Sequence, residues 1–70
     1  MTQIKQFLLN GEKYCTKQNI NLFQLLDYFN YNDSLLVLEY NKSICKRSDW
    51  EITYIQEHDQ IEIVTIVGGG

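Results

Sequence analysis

Proline and alanine are both missing from this 70-residue chain, cysteine occurs twice, and no apolar run exceeds the four residues 35–38. Each shortage closes off a class of protein. Two cysteines thirty residues apart, Cys15 and Cys45, are too few for a disulfide scaffold or a metal-binding cluster, and a reducing compartment fits them best. The short apolar runs provide neither a membrane span nor the apolar core of a secretion signal. Positive charge is also scarce: six Lys and Arg against nine Asp and Glu leave a net charge of -3, and the bases are scattered except for Lys46 and Arg47. Nucleic-acid binding needs positive charge gathered on one face, so that class is excluded, and Lys46-Arg47 reads as a solvated turn. No catalytic triad, phosphate-binding loop or metal motif is present. A chain of this length buries only roughly 60% of the surface its unfolded form exposes, which leaves little room for an enclosed active site. Asn, Ile, Lys and Tyr supply 24 of the residues, a bias that an AT-rich genome imposes through its codons, as in plastids and some bacteria. The expected setting is the cytoplasm or the plastid stroma rather than the exterior.

What is present is unevenly placed. Three of the four glycines are Gly68, Gly69 and Gly70, the final residues. Glycine is costly to order and buries no side chain, so a terminal run of it stabilises no fold, and its use must be sought outside the fold. The expected organisation is one domain over residues 1–67 followed by a flexible glycine tail over 68–70.

The elements follow from local signals. Residues 4–9 read as a strand, Asn10-Gly11 as a tight hairpin turn, and residues 13–16 as the return strand. Leu22, Leu25, Leu26 and Phe29 recur at i, i+3, i+4 and i+7, one side of a helix of about nine residues. Asn21 caps its start with Gln24 reaching back, Ile20 is placed to touch Leu25, and Asn30 is a left-handed stop. Residues 35–40 read as a strand buried on both faces, because four consecutive apolar residues leave no wet side. A short strand over 43–46 follows, then a helical turn over 47–50 capped by Ser48, with Trp50 folded back onto the core. Glu57, His58 and Asp59 make the last turn before a β-branched strand over 60–67. A right-handed crossover through the helix lays this last strand parallel to the first, at the centre of a mixed sheet. The expected fold is therefore α+β: a ubiquitin-like β-grasp roll, with a mixed sheet of four to five strands and one helix on one face.

Three stretches carry a resemblance: NKSICKRSDW at 41–50, DQIEIV at 59–64 and VGGG at 67–70. Together they resemble the sulfur carrier protein of thiamine biosynthesis, the ThiS family, in which an Asn turn, an Arg-x-x-Trp step, an acidic turn before the last strand and a terminal Gly-Gly recur at this spacing. Family members often carry Gly in the acidic turn where this chain has His58, so His58 is expected to take positive φ or to reshape the turn.

The resemblance implies a carrier, not an enzyme. A ThiF-type adenylating enzyme would use ATP and magnesium to activate the Gly70 carboxylate, and sulfur from a cysteine desulfurase or another donor would then displace AMP to leave a thiocarboxylate. A ThiG-type thiazole synthase would take that sulfur into the thiazole ring. No cofactor is expected to reside in the chain itself. The glycines suit such traffic: Gly68, Gly69 and Gly70 supply about 10 Å of reach beyond Val67 and, lacking Cβ atoms, pass between close walls.

Alternation along the last strand places Ile61, Ile63, Thr65 and Val67 on one face and Gln60, Glu62, Val64 and Ile66 on the other. If the first set faces the helix, Val64 and Ile66 form either a partner-docking patch beside the tail or a pair sheltered by Trp50 or a loop. His58 has no evident acid-base partner and reads as a surface turn residue. Cys15 and Cys45 read as small strand hydrophobes, with persulfide transfer or an acyl-disulfide to Gly70 as the alternative. Two other functions remain open: the small subunit of molybdopterin synthase, which also uses a Gly-Gly thiocarboxylate, and a β-grasp adaptor whose terminus is never activated.

Overall fold

Asn10 and Gly11 take φ of 51° and 82°, the paired positive values that let two strands reverse over two residues. They join β1 (Lys5–Leu9) to β2 (Glu12–Thr16) in a computed structural model that describes residues 3–31 and 35–66. The chain continues through α1 (Leu22–Tyr28), β3 (Leu36–Tyr40), β4 (Ser43–Ile44), a single 3-10 turn (Arg47–Asp49) and β5 (Gln60–Thr65). The sheet order is β2-β1-β5-β3-β4, with β5 parallel to β1 and antiparallel to β3. The last strand thus occupies the centre of a mixed sheet, the α+β architecture expected.

The helix is bounded as its sequence dictates. The Asn21 Oδ1 accepts the Gln24 N–H at 2.8 Å while the Gln24 Oε1 accepts the Asn21 N–H at 2.9 Å. At the other end Asn30 takes φ of 63°, and the N–H groups of Asn30 and Tyr31 donate to the carbonyls of Asp27 and Leu26. Leu22, Leu25 and Leu26 turn inward against Phe7, Leu9, Leu38, Ile61 and Ile63, and Trp50 and Ile55 close the core.

Three local expectations need correction. Residues 35–38 are not buried on both sides: Leu38 is 1% exposed, but Leu35 is 68% exposed and Val37 half-buried. One helix covers one face, so Leu36, Leu38 and Tyr40 point inward while Leu35, Val37 and Glu39 point away. Ser48 does not cap the 3-10 turn; Lys46 precedes it without a side-chain cap bond. β4 stops at Ile44, because the chain must then bring Trp50 over the core, where its Nε1 donates to the Cys45 carbonyl at 3.0 Å and Arg47 stacks 5.4 Å above its ring.

A buried carboxylate pins the entry to β5. Asp59, 6% exposed, accepts from the Tyr40 hydroxyl, from the Asn41 Nδ2 at 3.0 Å and from the Gln56 N–H at 2.7 Å. Asn41 in turn accepts the Gln60 N–H at 2.8 Å. Strand β5 therefore starts from a fixed point, and its direction past the helix follows.

Two exposed side chains sit in the left-handed region without being Gly or Asn: Lys42 at φ 71° and His58 at φ 68°. The acidic turn is kept by His58 adopting positive φ, its N–H donating to the Gln6 carbonyl at 2.7 Å. Each costs about 1–2 kcal/mol of conformational strain. Glycine removes that strain but adds chain entropy to the unfolded state. Lys42→Gly and His58→Gly are each expected to stabilise the fold by about 0.5–1 kcal/mol, read as a higher urea midpoint.

Candidate functional site

The sheet face turned away from the helix carries the outward side chains of β5, the strand that leads toward the final residues. On β5 the inward residues are Ile61 and Ile63, 1% and 8% exposed, while Val64 and Ile66 are 60% and 52% exposed. Trp50 shelters neither, since it lies in the core. Thr65 is exposed although it shares the inward side with Ile63, so the strand has by then outrun the buried core.

Register gathers further apolar groups around Val64 and Ile66. Val37 lies directly opposite Val64, and the Ile66 N–H donates to the Leu35 carbonyl at 2.7 Å, carrying the ladder beyond the strand. On β4, Ile44 pairs with Glu39 and shares its outward side, 71% exposed. The corner of the open face thus presents Leu35, Val37, Ile44, Val64 and Ile66 together. Such contiguous exposed apolar surface marks an interaction site more often than a solvated one.

Sequence reading found two members of this corner and missed three. The signal for Leu35 and Val37 was present: with one helix in the chain, a four-residue apolar run must alternate between a covered and an uncovered side. Ile44 gave no signal, because its side depends on its pairing with Glu39.

Gly68, Gly69 and Gly70 lie outside the described residues, as does Val67. The remaining candidates are dispersed. Cys15 is exposed on the edge strand β2, whereas Cys45 is partly buried with its Sγ 3.9 Å from the Thr53 Oγ1. His58 is held in its turn by its backbone. A hollow of about 470 Å³ between α1 and β2 is lined by aromatic, aliphatic and amide side chains together with the Cys15 thiol and the Thr16 hydroxyl, with no Asp, Glu, His, Lys or Arg among them. No group of three metal-ligating side chains occurs among the described residues, nor any helix long and apolar enough to cross a membrane.

The ThiS family model matches residues 7–70, a span that takes in both the apolar corner and the glycines. The chain is 56% identical to the uncharacterized protein ycf40 of Trieres chinensis over 73 aligned positions, covering all of both chains. It is 36% identical to ycf40 of Porphyra purpurea, covering 89% of this chain and 87% of that one. A thiazole synthase of Magnetococcus marinus contains a stretch 34% identical over 62 residues, which covers 89% of this chain but 19% of that protein. The fold matches the crystal structure of the thiamine biosynthesis protein ThiS from Geobacter metallireducens with a TM-score of 0.77 at 20% identity, covering 93% of this chain and 99% of that one. The chain belongs to the ThiS family of ubiquitin-like sulfur carriers, proteins that carry sulfur rather than catalyse a reaction.

Proposed function

We propose that this chain is the sulfur carrier of thiazole formation in thiamine biosynthesis, with the carboxylate of Gly70 as its attachment point. At neutral pH a terminal carboxylate, with an ordinary pKa of about 3.3–3.7, is ionised and a poor electrophile, so it must be activated. A ThiF-type enzyme does this with ATP and magnesium: a carboxylate oxygen attacks the α-phosphorus, pyrophosphate leaves, and the acyl carbon becomes electrophilic. A sulfide-level nucleophile then expels AMP and leaves a thiocarboxylate. Where a cysteine desulfurase supplies persulfide instead, its outer sulfur expels AMP to give an acyl disulfide; thiols reduce this to the thiocarboxylate and leave with the other sulfur as a disulfide. A thiazole synthase of the ThiG type accepts that sulfur.

The observation that carries the reading is the placement of the central strand. β5 leads from the buried Asp59 through the sheet to an exposed apolar corner, four residues short of Gly70. A partner that grips Leu35, Ile44, Val64 and Ile66 therefore holds the chain close to its reactive end, and Gly68 and Gly69 enter its channel. The thiazole synthase of Magnetococcus marinus, with a related stretch inside one longer chain, supports the thiamine pathway over molybdopterin synthesis. The ycf40 relatives are algal, which supports the plastid stroma as the compartment.

Intact-protein mass spectrometry tests the reading. Incubated with the adenylating enzyme, ATP, magnesium and a sulfur donor, the chain is expected to gain the mass difference of one oxygen replaced by sulfur, confined to its C-terminal peptide. An unchanged mass would identify an adaptor whose terminus is never activated.

A further inference from the structure

Immediately beside the apolar corner, Glu39 of β3 and Glu62 of β5 stand directly opposite each other. Both belong to the outward set, since they alternate with the inward Leu38, Tyr40, Ile61 and Ile63. Like charges in this relation are destabilising for an isolated sheet. Neither neighbour in the same row relieves them: Ile44 pairs with Glu39 on the outer side, and beyond Glu62 lies the Asn10 turn, whose side chain accepts the Ile63 N–H at 2.8 Å. One step along the strands the flanking pair is Val37 and Val64. The open face therefore carries two adjacent carboxylates with Val37 and Val64 on one flank and the exposed Gln60 on the other, and their like charges oppose each other across the strands.

We propose that the Glu39 and Glu62 pair receives an arginine or lysine from the docking face of the adenylating partner, so that the partner presents apolar surface with a cation beside it. The inference rests on the docking role assigned above to the apolar corner. Opposed side chains have Cβ atoms about 4.5–5.5 Å apart, a spacing at which two carboxylates can share one guanidinium or ammonium group. When Val37, Val64 and Ile44 are covered, water leaves the neighbourhood, the effective dielectric falls, and the attraction strengthens. The same pair acts against wrong partners: an apolar face without a cation would enclose two like charges with nothing to neutralise them. Leu35, Val64 and Ile66 thus supply attachment, and the two carboxylates supply selection and a faster encounter.

The test is pyrophosphate exchange by the ThiF-type enzyme with ATP and magnesium, titrated with carrier. The double variant Glu39→Gln, Glu62→Gln is expected to raise KM about tenfold at low salt with kcat unchanged, and the gap to the unaltered chain should close at about 0.5 M salt as screening removes the attraction. The free variant should unfold at an equal or higher urea concentration, because the like-charge contact is relieved. An unchanged KM at low salt, or a KM gap that salt does not diminish, overturns the proposal. Val64→Asp is run alongside. If it raises KM while the Glu variants do not, only the cation pairing fails; if it too leaves KM unchanged, the docking role itself fails.

Discussion

Asp59→Ala is expected to remove about 3 kcal/mol of stability, a large share of the roughly 3.5–10 kcal/mol that a domain of this length possesses. The carboxylate is buried and satisfies three donors at once: the Tyr40 hydroxyl, the Asn41 amide and the Gln56 N–H. Alanine leaves the Asn41 amide and the Gln56 N–H without this acceptor, while the Tyr40 hydroxyl keeps the Tyr54 carbonyl at 3.2 Å; each unsatisfied buried group costs about 1–3 kcal/mol, partly recovered where water enters. Asp59→Asn keeps the shape but replaces one acceptor oxygen with a donor, so it should fall between alanine and the unaltered chain. Urea denaturation measures both. A loss below about 1 kcal/mol for alanine would show that the turn stands without its anchor.

The same cluster makes the fold's stability depend on pH in the alkaline range. Burial, then the hydrogen bond to Asp59 and its negative charge, hold the Tyr40 hydroxyl well above the ordinary tyrosine value of 10.0. Because the folded state raises this pKa, the stabilisation is complete below about pH 10 and is lost as pH climbs through the folded-state value. Tyr40→Phe cannot ionise at this position. Its stability should be lower than that of the unaltered chain at pH 7, and the difference between the two should narrow above pH 10.

The parts of the fold legible in the sequence are those written over four or five neighbouring residues. Asn10-Gly11, the reciprocal Asn21 and Gln24 cap and the Asn30 stop each need only their own segment, and each formed as read. The two-sided burial expected of residues 35–38 failed because composition reports apolarity, whereas exposure depends on how many layers cover a sheet. Asp59 was read as part of a turn, since nothing near it in sequence announces that Tyr40 and Asn41, 19 and 18 residues away, will close around it. The open face shows the same division. Period-two alternation separated Val64 and Ile66 from Ile61 and Ile63, but Ile44 joined them only through the register of β3 against β4.

Ending the chain at Gly68 is expected to reduce adenylation by more than about a thousandfold while leaving the fold unchanged. Two missing residues withdraw the terminal carboxylate by up to about 7 Å, whereas a misplacement of about 1 Å at a reacting group already costs about a hundredfold in rate. The two residues removed are glycines without side chains, and among the described residues the core and the Asp59 cluster end at Ile63, so the urea midpoint should match that of the full chain. The shortened chain still presents Leu35, Val37, Ile44, Val64 and Ile66, and with them the means of docking. It should therefore act as a competitive inhibitor of the full-length carrier, with a Ki close to the carrier's KM. Val64→Asp gives the reverse pattern: the terminus is intact, but a charge placed on the apolar corner raises KM about a hundredfold and abolishes competition when combined with the truncation. Attachment and chemistry would then be separable along one strand, with β5 supplying the first and the glycines the second. A shortened chain that fails to compete, or one that is still adenylated at the normal rate, would break that division of labour.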